Sequence, residues 1–486
     1  MRLSYLGYTF SLVLTYFSIV MLIPIAIAIF YAEYESVLPF ILASVTGLMT
    51  AFVIKKLIKG AGEIDSVNDI KKSEGLCTVV FSWIFAGLLA SIPYLFYGIS
   101  PLNAFFEATS GITAVGATIL TKFDYPRTLF FWRALSQWLG GMGIVVLFIA
   151  ILPQFAVAGR QLFSAETPGP YEEKFTPRIK NTAAALWKIY FGLTILEVIL
   201  LKFFGMDLFN AFCHAFTSVS GGGFSTSGTS FIGFSNNILW TICFFMFFAG
   251  ASYNLQYKAV TKFNPMVLFK SEEFRTYLKI ILGLSLLLAV SLFVNQKYDL
   301  VSSITHSFFQ VISSSSTTGY CSVDFANWDY TSKAILFLAM LTGSCASSAG
   351  GGIKIIRWLL IFKIMKTELT KILHPRAVFD IKIGQFSVSK DILYQTLMFV
   401  SFYLIILVIS GFLVSILEHN PIVGISSSIS AIGNIGPGIT SVIGPIGSYN
   451  ELTDLSKWIL ILDMYVGRLE LIPFLVLFQR EIWCLK

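Results

Sequence analysis

Ten stretches of this chain stay apolar for long enough to cross a lipid bilayer, and that feature restricts the fold more than any other. They lie near residues 10–30, 37–58, 76–97, 129–152, 184–204, 237–257, 277–294, 332–362, 392–417 and 457–479, and a spanning helix needs roughly 20 apolar residues. Composition agrees: 13% of residues are charged, against about 25% in soluble proteins, too few to cover a water-soluble body. The longest polar connectors, 153–181 and 363–390, are shorter than a typical soluble domain. The first run, from about Leu12 to Tyr31, is too long for a signal h-region, and no small-residue cleavage site follows, so a retained helix is expected. The expected class is an all-α polytopic membrane protein.

Several functions are excluded on chemistry. The sequence has no Gly-Lys dipeptide and so no GxxxxGK[ST] phosphate loop. A nucleotide that drives or gates the protein has to sit on another chain, and no cofactor is expected on this one. Cys77, Cys213, Cys243, Cys321, Cys345 and Cys484 are scattered without CxxC or Cys/His spacing, which reads as packing. No HExxH or Ser-His-Asp order occurs, so the chain is not read as an enzyme. Nothing points to a nucleic-acid partner.

The basic residues fix an orientation. If alternate connectors share a side, the segments 55–72, 153–180, 258–279 and 354–390 carry most of the 34 Lys and Arg residues. The opposite connectors hold only Lys122, Arg127, Arg133, Lys297, Lys333 and Lys457. The positive-inside rule then places the first set and both termini in the cytoplasm.

The opposite connectors are neither short nor polar, and they repeat. Residues 101–118 (PLNAFFEATSGITAVGAT) lie over 208–225 (LFNAFCHAFTSVSGGGFS) without a gap, matching Asn103 to Asn210, Ala104 to Ala211, Phe105 to Phe212, Ala108 to Ala215 and Gly116 to Gly223. A third copy, HSFFQVISSSSTTGYCS, aligns Phe308 and Gly319 with Phe105 and Gly116, and a fourth, VGISSSISAIGNIGPGI, aligns Ser430 and Gly436 with Ser110 and Gly116. In-phase recurrence of this kind marks duplication. Each copy has an apolar segment about half the length of a crossing, which reads as a re-entrant helix. The non-helical backbone beyond it is tolerated only where it is buried in protein or lines a watery cavity.

Four such turns around one axis suit a cation filter. Backbone carbonyls from four loops can form rings that replace an ion's water, and Gly allows the backbone angles this needs. Ser and Thr hydroxyls add oxygens, the turns contain no Asp or Glu, and each half-helix aims its negative end at the centre. Glu107, His214 and Gln310 share one repeat column and read as hydrogen-bonding groups behind the filter. Glu197 and Lys188 read as packing or interface groups.

The turns TAVGAT (113–118), SGGGFS (220–225), STTGYC (316–321) and GNIGPG (433–438) resemble the four filters of the TrkH/TrkG/KtrB superfamily of potassium transporters. The interruption GSCASSAGGGIK (343–354) and the final-span GRLEL (467–471) resemble the same family. The resemblance implies two N-terminal spans followed by four span–pore-loop–span repeats around a pseudo-fourfold pore. The expected units are 1–60, 73–155, 182–258, 274–366 and 388–480. It implies a potassium-binding filter at Thr113, Ala114, Val115 and Gly116; Ser220, Gly221, Gly222 and Gly223; Ser316, Thr317, Thr318 and Gly319; and Asn434, Ile435 and Gly436. It also implies a homodimer in the cytoplasmic (inner) membrane of a prokaryote, with a cytosolic TrkA-type nucleotide-binding partner carrying ATP/ADP or NADH. All four turns depart from the strong potassium-channel signature TVGYG, which implies passage of rubidium and incomplete rejection of sodium.

Two features read as gating elements. The eighth span, roughly 332–365, is broken by three consecutive Gly and a Ser/Ala-rich approach, which do not hold a regular helix at membrane depth. By resemblance this is an intramembrane loop below the filter, with Gly350, Gly351 and Gly352 as hinge and Lys354 at its end. Arg468 sits mid-span in LDMYVGRLELIPF, where a charge usually faces a polar cavity and would slow a cation. The bland alternative is an ion pair with Asp463; Glu470, two residues on, lies on another helix face. The rival functional reading is a proton- or sodium-coupled symporter with alternating access, whose mark would be inverted halves.

Overall fold

The computed structural model describes residues 3–59, 72–143, 179–295, 297–376, 379–384, 386–477 and 479. The basic connector segments 60–71 and 144–178, the end of the apolar run 129–152, and Cys484 lie outside the described residues.

The chain begins with helices α1 (Leu3–Val20) and α2 (Ile23–Phe30), then α3 (Val37–Lys59). Pro24, at the start of α2, cannot supply an N–H to the preceding turn, which is why the first apolar run is two helices. Next come α4 (Lys72–Leu95), α5 (Pro101–Ile112) and α6 (Arg127–Gly141). Helix α1 lies along α3 and α4. The Glu33 carboxylate accepts from the Arg127 and Thr128 backbone N–H groups at 2.9 Å each, capping α6 where Pro126 offers no side-chain cap.

The order long helix, short helix, helix recurs. It continues as α7 (Ile179–Phe203), α8 (Leu208–Val219) and α9 (Asn236–Gly250), with α10 (Tyr253–Thr261) bent 101° from α9. After α11 (Met266–Lys270) come α12 (Glu272–Val294), α13 (Leu300–Ser315), α14 (Tyr330–Thr342) and α15 (Ile355–Leu373). A two-stranded hairpin of β1 (Lys382–Ile383) and β2 (Phe386–Ser387) leads to α16 (Lys390–Leu417), α17 (Pro421–Gly433), α18 (Asp454–Arg468) and α19 (Ile472–Val476). The short helices are buried, whereas α3, α12 and α16 present Phe52, Leu287 and Phe412 outward, as a lipid-facing surface requires.

The sequence leads one to expect ten spans with only the eighth interrupted; the structure also divides two others. Six helices are long and apolar enough to cross a membrane, or seven with the bent α9–α10 pair, among the described residues. The differences lie in the third helices of the second, third and fourth repeats, the described part of the first ending at Gly143. The run 237–257 bends at 251–252, the run 332–362 is α14 and α15 separated by 343–354, and the run 457–479 breaks after Arg468. Apolar composition alone could not show this, because the breaks are set by backbone angles: φ is positive at Gly343, Ser347, Gly352 and Lys354, and at Glu470 and Leu471.

The groups freed by these breaks find partners in protein, as burial at membrane depth demands. The N–H of Cys345 donates to Gly250 O at 2.9 Å, that of Ile355 to Ser344 O at 2.9 Å, and that of Ala346 to the Glu273 carboxylate at 2.6 Å.

Candidate functional site

The four short helices α5, α8, α13 and α17 end at turns with one shared backbone conformation. In each, φ is positive at the second column (Ala114 53°, Gly221 67°, Thr317 59°, Asn434 54°) and again at the fourth (Gly116 87°, Gly223 74°, Gly319 79°, Gly436 111°). A matched bond fixes each turn to its helix: Val115 N to Ser110 O, Gly222 N to Thr217 O, Thr318 N to Ser313 O and Ile435 N to Ser430 O, all 2.8–2.9 Å. Four quite different side-chain sets thus adopt one geometry because main-chain bonds dictate it.

Neighbouring turns meet through the fourth-column glycines. A methyl group on Gly116 would overlap the Gly222 carbonyl oxygen, one on Gly223 that of Thr318, and one on Gly319 that of Ile435. One on Gly436 would reach Val115 O at 2.8 Å, closing the cycle. Only glycine fits such positions. The ring opens on one side into a vestibule of about 500 Å³ whose lining includes all four of these glycines. At the start of the third short helix, Asp299 caps α13; the hydroxyl and backbone N–H of Ser302 hold its carboxyl below the usual carboxylate range.

Polar side chains brace the ring from behind. Glu107 accepts from Ile119 N at 2.8 Å and pairs with Arg133 at 2.8 Å, both fully buried. Arg133 reaches Ser225 O in the next turn at 3.0 Å and covers the Phe224 ring. In the equivalent column, His214 lies 3.4 Å from the Thr226 hydroxyl, and Gln310 donates to Ser322 at 3.3 Å. Gln137 donates to Gly222 O at 2.6 Å and accepts from Phe224 N at 3.0 Å. Glu197 is buried behind α8 and accepts from Ser218 at 2.6 Å, while Lys188 is exposed.

The inner side of the ring meets the interruption 343–354. The N–H of Gly351 donates to Thr317 Oγ1 at 2.9 Å. A methyl group on Gly350 would lie 2.6 Å from Ser316 O, and one on Gly351 2.8 Å from Gly433 O. Arg468 donates to Ala349 O at 2.9 Å and to the carbonyls of Gly140 and Gly141 at the end of α6. Glu470 sits between two cations: Lys354 Nζ lies 2.8 Å from one carboxylate oxygen, and Arg357 pairs with the other. The Arg357 guanidinium also stacks 3.7 Å over Phe399. Asp463 is elsewhere, accepting from Ser428 at 3.1 Å. No group of His, Cys, Asp or Glu is placed to hold a metal ion among the described residues.

The profile of the family described as "TrkH: Cation transport protein" matches residues 44–483. The chain belongs to the TrkH family. It is 36% identical to the Trk system potassium uptake protein TrkH of Salmonella typhimurium over 424 residues, 86% of this chain and 87% of that one. With the protein of the same name from Halomonas elongata it shares 33% identity over 97% of its length and 98% of the relative's. The crystal structure of the potassium transporter TrkH from Vibrio parahaemolyticus superposes with a TM-score of 0.88 at 29% identity, covering 99% of this chain and all of that one. TrkH-family membership makes the chain a transport protein and not an enzyme.

Within this TrkH-family chain, the fifteen candidate filter residues fall in the ring or its inner edge, and Gly350, Gly351, Gly352, Lys354 and Arg468 lie together beneath it. Sequence reasoning missed Arg133, Gln137, Arg357 and Glu470, and also Tyr449, whose hydroxyl donates to Gly436 O at 2.8 Å. Arg133 was counted among connector charges, yet it is 2% exposed inside α6. The signal was present: in FFWRALSQW, Arg133 and Gln137 stand four apart in an apolar run, on one helix face.

Proposed function

We propose that this protein carries potassium into the cell through the ring of four turns, which acts as a selectivity filter of backbone carbonyls. The closed cycle of fourth-column glycines is the observation that carries this reading, and the names of the relatives supply the ion. Oxygens of Thr113–Gly116, Ser220–Gly223, Ser316–Gly319 and Asn434–Gly436 would replace the ion's water. The helix C-termini of α5, α8, α13 and α17 add negative potential towards the centre. The pathway divides into units 1–60, 73–155, 182–258, 274–366 and 388–480, the last four arranged around a pseudo-fourfold pore.

Residues 343–354 and Arg468 form the gate in this reading. The loop abuts the inner edge of the ring, and Arg468 places a fixed positive charge beside it. The protein works as a homodimer in the inner membrane, both termini cytoplasmic, and a TrkA-type nucleotide-binding partner moves the gate. Exposed Lys262, Lys270, Lys366, Lys371 and Arg376 offer that partner a basic face.

The test is rubidium-86 uptake into liposomes holding this protein alone, with potassium, sodium, lithium and choline as competitors. Potassium should suppress uptake more than sodium, and Arg468→Ala should raise it. Silence in wild type and in folded Arg468→Ala would overturn the pore reading in favour of a symporter that needs a second ion.

A further inference from the structure

The four turns share one backbone conformation, but the fourth departs from the others in how its last glycine is bonded. At Gly223 and Gly319 the N–H bonds to a backbone carbonyl, Thr217 O at 3.1 Å and Ser313 O at 3.2 Å. At Gly436 the N–H instead bonds to the Ser430 hydroxyl at 3.0 Å. The carbonyl of Gly436 accepts two hydroxyl donors, Ser430 at 2.6 Å and Tyr449 at 2.8 Å. A carbonyl oxygen has two lone pairs, so both are taken by protein.

Among the described residues, no side-chain hydroxyl donates to the carbonyls of Gly116, Gly223 or Gly319; Gly319 O meets only the weak Cys321 thiol donor at 3.5 Å. Gln137 does bond Gly222 O, but with a single donor, and that oxygen keeps its place against Gly116 as its counterparts do against theirs.

The local sequence explains the exception. Gly436 is followed by Pro437, which has no N–H and disfavours helical backbone angles for the residue before it. Gly436 correspondingly has the most open φ of the four, 111° against 74–87°. Tyr449 is positioned to use the turned carbonyl. Its ring lies 5.5 Å from Phe106, its N–H donates to Thr118 O at 2.9 Å, and the Asn450 carbonyl beside it accepts from buried Lys457 at 3.1 Å.

We infer that the outermost level of the filter presents three glycine carbonyls to the ion and not four, and that Tyr449, with Ser430, holds the fourth away and thereby sets how strongly potassium is preferred over sodium. The inference rests on the filter reading above. An ion at that level keeps a water from the vestibule in place of the missing oxygen. A partly hydrated site fits sodium less badly than a complete carbonyl ring would, because discrimination depends on the number of coordinating dipoles. Tyr449 is a positioning residue: it acts on the ion only through the Gly436 carbonyl.

Tyr449→Phe removes one donor while keeping the ring against Phe106. Reversal potentials in planar bilayers should show the potassium-to-sodium permeability ratio rising about fivefold, the factor expected for one net hydrogen bond, with rubidium following potassium. Structural damage would lower the ratio, so an increase separates positioning from damage. Should Tyr449→Phe fail to fold, Ser430→Ala removes the other donor to the same oxygen and is read against the same expectation. A ratio unchanged or lowered in a folded variant overturns the inference. Gly319→Ser separates the two levels of failure: if it alters selectivity while Tyr449→Phe does not, only the role of Tyr449 falls. If neither alters it, the filter reading falls as well.

Discussion

The ring of turns and the layer directly beneath it are built from different materials. The ring is made of backbone: four unlike segments, TAVG, SGGG, STTG and NIG, hold one conformation through main-chain bonds and paired positive φ values. The layer beneath is made of long charged side chains, Lys354, Arg357, Arg468 and Glu470, drawn from the ends of two helices and the breaks beside them and fixed by ion pairs and carbonyl contacts. Backbone geometry tolerates side-chain change but not a Cβ at the glycines. The charged layer tolerates backbone variation but not the loss of one head group. Selectivity is therefore expected to live in the first region and rate in the second.

The largest effect should come from Gly223→Ser. Any side chain there collides with the Thr318 carbonyl, and the ring must distort. Preference for potassium over sodium should be lost in competition assays, while the protein still elutes as folded. A smaller, purely thermodynamic effect is expected behind the ring. Glu107→Gln leaves Arg133 buried without its carboxylate, which should cost about 3–5 kcal/mol in thermal unfolding. The double variant Glu107→Gln with Arg133→Met should recover part of that loss.

In the layer beneath, Glu470→Gln leaves Lys354 and Arg357 unneutralised around the break. The added net positive charge should repel an entering cation as Arg468 does, so basal rubidium flux should fall several-fold with the potassium-to-sodium ratio unchanged; a changed ratio would blur the division between the two regions. The smallest effect belongs to the cap of α13. Asp299 titrates below its ordinary range, so its capping contribution is complete above about pH 4 and is lost as pH falls through the lowered value. The stability difference between wild type and Asp299→Ala should shrink over that acid window and stay flat above it.

The two regions also differ in how far the sequence reveals them. The ring was legible because glycine recurs at one column of four aligned segments, and a requirement on backbone angles leaves a residue-type signature. The position of the break at 343–354 was legible for a related reason, since GGG cannot continue a helix. The ion cluster was not. Glu470 lies far from Lys354 and Arg357 along the chain, and nothing local to GRLEL says that its carboxylate turns towards α15. The break after Arg468, with positive φ at Glu470 and Leu471, is what redirects it. Spacing rules for a continuous helix separate Glu470 from Arg468 but give it no partner. Tyr449 was hidden for the same reason, lying in an irregular segment that returns to the ring only in three dimensions.

The division of labour has one direct test: rubidium-86 uptake into liposomes by wild type, Gly223→Ser and a deletion of 344–350, each with potassium and sodium as competitors. The deletion should raise uptake while potassium remains the stronger competitor, and Gly223→Ser should erase that preference. A folded deletion variant with wild-type uptake, or a folded Gly223→Ser protein that still prefers potassium, would contradict the account.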